Sequence, residues 1–287
     1  MSRNQDRLGL EDDLVIDDDV TAQAATQPTS PGFSWSVPTE FVELPSQGKF
    51  YPPGHPVHGK LNIEIRFMTA KEEDILTSKS LLKQGIALDR MLQNIIADKT
   101  VRVNDLLIGD KNALLVAARR TGYGPEYDTN VACPNCGETV EYSFDISEPP
   151  INNYMQEAED YQVLIDDNGR IHINLPMSSV DIVCRLMTGA DELAVVKEAE
   201  RKSKKKMQSA TATDSFRSYI VSVNGDTSPF TIESFIQAMP ARDARHLRTI
   251  YSKVVPNIDL TQNFDCSNCG HEADMEVPLG VDFFWPK

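Results

Sequence analysis

Stretches with a two-residue hydrophobic period give way along this chain to stretches with a helical one, and the switches predict its elements. Residues 35–68 are extended and marked by prolines: Val37-Pro38, Leu44-Pro45, then Phe50-Tyr51-Pro52-Pro53-Gly54, with a turn at Ser46-Gln47-Gly48. Asn62 to Met68 alternates as a strand, with Ile63, Ile65 and Phe67 on one face. Thr69-Ala70-Lys71-Glu72 is a capping box, so a helix starts at Ala70. The pattern predicts helices over 70–81 and 86–97 around Gly85, with Ile86, Leu88, Met91, Leu92, Ile95 and Ile96 as an apolar stripe. Asp110 can cap a further helix from Lys111 to Arg120, stopped by Gly122.

Beyond residue 126 the two-residue period returns. Tyr127 to Ala132 and Thr139 to Ile146 read as strands. Asp166-Asp167-Asn168-Gly169 reads as a hairpin turn between strands Tyr161–Ile165 and Arg170–Leu175, and Pro176 ends the second. A helix is expected after Ser178, with Val180, Val183, Cys184 and Met187 inward and Gly189 as its end. Further helices are expected over Asp191 to Met207, Phe216 to Val223, Ile232 to Met239 and about 241–253, the last with Leu247, Ile250 and Tyr251 inward.

Composition narrows the function classes. The 287 residues carry 43 acids against 28 bases, a net charge of -15, which argues against nucleic-acid binding through the general surface. The basic cluster that stands out is Arg201, Lys202, Lys204, Lys205 and Lys206; it reads as a solvated helix face or as a contact patch, and lacks the interleaved aromatics of a single-strand platform. Residues 1–34 are polar and acidic, with Leu14-Val15-Ile16 among Glu11, Asp12, Asp13, Asp17, Asp18 and Asp19. Such a stretch cannot pack a core and is expected to be a disordered arm, either plain solvated length or a docking peptide. No apolar run reaches membrane-span length, and the first residues lack the apolar core of a secretory signal.

The chemistry lies in the cysteines. Cys133-Pro-Asn-Cys136-Gly and Cys266-Ser-Asn-Cys269-Gly are two tight turns, each followed by strand-like sequence. Two such turns can present four thiolates to one Zn2+ in a structural site. A redox pair is the alternative for any single CxxC, but those open a helix, and neither of these does. His271 could replace a cysteine ligand, but with four thiolates available it reads as standing beside the site or at the surface, and Cys184 reads as a small buried hydrophobe. The remaining histidines, His55, His58, His172 and His246, form no metal trio by spacing, and no phosphate loop, HExxH or GxSxG is present, so no enzymatic activity is expected.

Residues 41–76 carry Leu44-Pro45-Ser46, Gly48, Phe50-Tyr51-Pro52, then Thr69-Ala70, Glu72-Glu73 and Ile75-Leu76. This succession resembles the opening of the T4-type baseplate protein family of contractile-tailed bacteriophages. The likeness extends to both cysteine knuckles and to Pro278-Leu279-Gly280-Val281-Asp282-Phe283-Phe284-Trp285-Pro286. The resemblance implies a structural or assembly role in the baseplate hub, in the virion tail or in the host cytoplasm during assembly. It implies other phage tail proteins, or further copies of this chain, as partners, and no catalytic residues. A zinc-ribbon nucleic-acid-binding or regulatory protein is the other reading. The expected fold class is α+β: a disordered acidic arm (1–34), a helical N-terminal α+β domain (35–126), and a zinc-ribbon-like module (127–287) with a long helical insertion at about 176–255. Of Phe283, Phe284 and Trp285, read as strand, some are expected to pack on another subunit or on the first domain; the alternative is a tail tucked onto its own core.

Overall fold

The computed structural model describes residues 36–204, 211–277 and 281–284. Contacts divide the chain into Met1–Ser36 and one compact unit, Val37–Lys287, and the account below concerns the second. The acidic arm with Leu14-Val15-Ile16 lies outside the described residues, as do Lys205, Lys206 and Trp285.

Strand β1 (Thr39–Glu43) pairs antiparallel with β2 (Asn62–Arg66), joining Val42 to Ile63 and Glu40 to Ile65. Ile63 and Ile65 are buried, as their alternation predicts. The chain then turns through Thr69 into α1 (Ala70–Thr77). The Thr69 N–H and hydroxyl both donate to Glu72 Oε2, at 2.9 and 2.7 Å, which forms the capping box. Arg66 grips the same carboxylate with both terminal nitrogens, at 2.9 and 2.6 Å, so the strand end and the helix start share one fully buried acid. Helices α2 (Lys79–Lys83) and α3 (Ala87–Ile95) follow, and α3 buries Met91, Leu92 and Ile95. Ile96 then bridges to Ile65 as a short third strand position.

Helix α4 (Ile108–Tyr123) is longer than its sequence signals suggest. Asp110 does not cap it. It sits inside the first turn, fully buried, where its carboxylate accepts from the Ser46 N–H (3.0 Å), the Ser46 hydroxyl (2.6 Å) and the Tyr51 hydroxyl (2.7 Å). Gly122 lies within the helix, and Gly124 ends it at φ 89. Gly109 is required by close approach: a Cβ there would sit 1.9 Å from the Pro256 carbonyl oxygen.

The middle of the chain departs most from the sequence reading. Helix α5 (Tyr154–Asp160) leads to β5 (Leu164–Ile165), β6 (Arg170–Asn174) and β7 (Asp181–Arg185). The expected helix after Ser178 is therefore a strand. Ile182 and Cys184 face the core on a two-residue period, and β-branched Ile182 and Val183 favour the pleat. Gly189 opens the next helix, α6 (Gly189–Lys204), rather than closing one. Helix α7 (Thr211–Tyr219) stops where Ile220, Val221 and Val223 take over as strand β8 (Ile220–Val223), so Phe216 to Val223 is half helix and half strand. Strands β5-β6-β7-β8 form one four-stranded antiparallel sheet, and the stretch expected to be a helical insertion carries much of it. Helices α8 (Pro229–Ala238) and α9 (Ala241–Val254) complete the stretch, and α9 buries Leu247, Ile250 and Val254.

The junction between β7 and α6 repeats the geometry between β2 and α1. Arg185 grips Asp191 through two nitrogens at 2.6 Å each, and the Thr188 N–H and hydroxyl donate to the same acid at 2.9 Å. Asp243, in the first turn of α9 and fully buried, accepts from the N–H groups of Met177 and Ser178, each at 2.9 Å. A single core runs through the unit, from Val42 and Leu44 through α4 to Phe264 and Val277.

Candidate metal centre

Two hairpins carry the cysteines. Strand β3 (Glu126–Ala132) pairs with β4 (Thr139–Asp145), and β9 (Thr261–Asp265) pairs with β10 (Glu272–Glu276). Each CxxC is the turn of its hairpin. In the first, the Gly137 N–H donates to the Cys133 carbonyl (2.9 Å) and the Cys133 N–H donates to Glu138 (2.9 Å). In the second, the Gly270 N–H donates to Cys266 (2.8 Å) and the Cys266 N–H donates to His271 (3.0 Å). Gly137 and Gly270 have φ of 75 and 66, a left-handed conformation that glycine adopts without steric cost.

The turns meet. All four sulfurs, of Cys133, Cys136, Cys266 and Cys269, lie within 4.8 Å of one another. Cys133 Sγ is 3.8 Å from Cys269 Sγ, and Cys136 Sγ is 3.9 Å from Cys266 Sγ. An ion with metal–sulfur bonds of about 2.3 Å in a tetrahedron separates its sulfurs by about 3.8 Å. The donor set therefore fits a single tetrahedral ion. Cys133 and Cys266 are buried, while Cys136 and Cys269 are exposed, so the cluster has an inner and an outer edge.

Backbone N–H groups of Cys136 and Asn135 point at the Cys133 sulfur and hold its pKa at about 6. Cys266 receives the same kind of donation from Cys269, but burial and the neighbouring Cys133 sulfur outweigh it and push the thiol up to about 11. Cys133 and Cys266 titrate as a coupled pair, in which ionising either sulfur disfavours ionising the other. A bound cation relieves that repulsion, because metal-bound cysteines are thiolates.

The Asn135 side-chain amide sits 3.7 Å from Cys269 Sγ, and Asn268 sits 3.7 Å from Cys136 Sγ. Each asparagine reaches across to the other knuckle's sulfur, where it can donate to a thiolate. The sequence carried this signal, since both turns read Cys-x-Asn-Cys-Gly, but the asparagine has the look of an ordinary turn residue.

Other residues singled out by sequence fall elsewhere. Cys184 is a core residue of β7 whose thiol is pushed up by burial. The His55 ring stacks on Tyr51 with centroids 4.6 Å apart, and His58 Nδ1 lies 2.6 Å from the Tyr51 carbonyl oxygen. In the basic run, Arg201 pairs with Glu198 and Lys202 with Asp214. Phe283 and Phe284 are not a strand but one 3-10 turn (Val281–Phe284), and both rings are buried. Arg119 of α4 fixes that turn by donating to the Phe283 carbonyl at 2.8 Å, and the Phe283 ring packs edge-on against Tyr127. Among the described residues no helix is long and apolar enough to cross a membrane.

Fold and site together define a mixed helix-and-sheet protein in which two distant cysteine turns converge on one four-sulfur cluster that can hold a metal. The family model described as T4 bacteriophage base plate protein matches residues 37–285, and the chain belongs to that family. Searches of curated proteins and of solved structures returned no match. Membership points to the phage virion tail baseplate, to a structural role there, and to other phage tail proteins as neighbours.

Proposed function

We propose that this chain is a structural or assembly component of the baseplate hub, acting through protein–protein contacts, and that Cys133, Cys136, Cys266 and Cys269 hold one structural Zn2+. The observation that carries the metal reading is the pair of sulfur–sulfur distances, 3.8 and 3.9 Å, between knuckles far apart in sequence. An all-thiolate tetrahedral site suits zinc or iron. Four protein thiolates leave no open coordination position, which is the mark of a structural ion rather than a catalytic one. Among the described side chains of the basic run, Arg201 and Lys202 are paired with acids of this chain, which lends the nucleic-acid reading no support.

The test has two arms. Elemental analysis of protein purified without chelator should find one zinc per chain, with no iron; absence of any metal sinks the metal reading. Tail particles assembled without this chain should lack a complete hub. Finding the chain in purified particles assigns it to the finished structure, and finding it only in intermediates assigns it to assembly. Normal hubs in its absence would overturn the role.

A further inference from the structure

The two halves of the compact unit use the same devices in the same order. Each begins with an antiparallel strand pair, β1–β2 or β6–β7, joined through a Leu-Pro turn, Leu44-Pro45 or Leu175-Pro176. In each, a buried aspartate from the first turn of a later helix catches that turn: Asp110 takes Ser46, and Asp243 takes Met177 and Ser178. Each second strand runs into an Arg-x-Met-Thr box, Arg66 to Thr69 or Arg185 to Thr188, whose Arg and Thr bind the acid three residues past the Thr. A third strand position follows at equivalent places, Ile96 against Ile65 and Ile220 against Cys184. The spacing from Asp110 to Cys133 equals that from Asp243 to Cys266. The two hairpins share one register, with Ala132 opposite Thr139 and Asp265 opposite Glu272.

The cluster itself obeys the exchange. Swapping the knuckles turns the contact of Cys133 with Cys269 into that of Cys266 with Cys136, and turns Asn135 on Cys269 into Asn268 on Cys136. That reciprocity is the signature of an isologous, two-fold contact.

We propose that the chain is a tandem duplication of one α+β unit, the first copy running from β1 to Ile146 and the second from β6 to Val277, and that the four-cysteine centre is a clasp shared between them. This rests on the metal reading above only for the clasp. Each copy supplies half a coordination sphere, so neither can saturate an ion alone. The metal links two units whose own strand–turn–helix cores are held by separate aspartate catches. The boundary falls after the first knuckle rather than before it. The second copy differs by the added α5 and β5 ahead of its first strand, and the first by the long loop between Ser46 and Leu61.

Hydrogen exchange read by mass spectrometry on the full chain tests both parts. Cys136→Ser should raise exchange in both hairpins, 126–145 and 261–276, while the centre of α4 and strand β7 stay protected. Deprotection of the first hairpin alone, or of the whole unit, would overturn the clasp. Asp110→Asn should speed exchange at 44–48 by roughly tenfold or more and leave 175–179 unchanged, and Asp243→Asn should do the reverse. Equal deprotection of both turns by either variant would overturn the duplication. If an aspartate variant does not fold, Glu72→Gln against Asp191→Asn makes the same comparison at Thr69 and Thr188. A chain without metal would remove the clasp only, since the aspartate pair reads the two copies independently.

Discussion

Glu72 and Asp110 are both fully buried acids, yet their surroundings drive them in opposite directions. At Glu72, burial raises the pKa, but hydrogen bonds from Arg66 and Thr69 prevail and hold it at about 2. At Asp110, burial prevails over three neutral donors and the pKa rises. The signs for stability follow. The Glu72 contribution is complete above the ordinary carboxylate range and is lost as pH falls toward 2. Ionisation of Asp110 opposes folding, so its contribution declines as pH rises above its unfolded value. Glu72→Gln should cost about 1.5–3 kcal/mol near neutral pH, the scale for hydrogen bonds to a charged group. Urea titrations at about pH 6 and about pH 2 should show the difference from wild type shrinking at the lower pH. A difference that grows on acidification would contradict the assignment. Gly109→Ala should also destabilise, by about 1–3 kcal/mol for an overpacked contact, since its Cβ meets backbone rather than a movable side chain.

At the level of elements, legibility followed periodicity and failed where helix and strand patterns overlap. The β2–α1 junction was readable because the Ile63/Ile65 alternation ends at a Thr-x-x-Glu box. Its counterpart at β7–α6 was misread because Val180, Val183, Cys184 and Met187 also satisfy a helical spacing, and because Asp191 is a shorter acid after a glycine. Pairing with β6 and β8 decides the matter, and a local pattern does not contain that information. The cysteine turns were legible because metal spacing is local; the asparagine that crosses to the partner sulfur was not, because its target lies on the other hairpin. Arg119 was also invisible. It is buried against the carbonyls of Gly124, Glu126 and Phe283 and the rings of Tyr123, Tyr127 and Phe283, with no carboxylate among the described residues hydrogen-bonded to it. Arg119→Met should strand the buried Phe283 carbonyl, at about 1–3 kcal/mol in urea unfolding, while the Gly124 and Glu126 carbonyls can turn to water. Limited proteolysis should then release the 281–284 turn first. Unchanged protection of that turn would show that the Phe283 and Phe284 rings hold it without the guanidinium.

For the whole molecule, the centre and the closing turn tie the C-terminal part of the unit to its middle. Deleting residues 282–287 removes two buried rings from the core, so thermal melting should drop sharply. Large-to-small changes at single buried phenylalanines already cost about 3–5 kcal/mol. Unchanged melting with lost assembly would instead mark the segment as an interface. Chelation should lower stability in a metal-dependent way, and restoring zinc should recover it, because ion binding is coupled to closing the site.

The separation of the knuckles along the chain also has a temporal meaning. Translation at roughly 5–20 residues per second delivers Cys133 and Cys136 roughly 7–27 seconds before Cys266 and Cys269. During that interval the nascent chain exposes a bare dithiol, which reducing surroundings keep unoxidised. A ribosome that stalls before the second knuckle leaves a product that cannot complete its coordination sphere. With the ion proposed above, loading would report chain completion, because only a chain that includes the second knuckle supplies all four sulfurs.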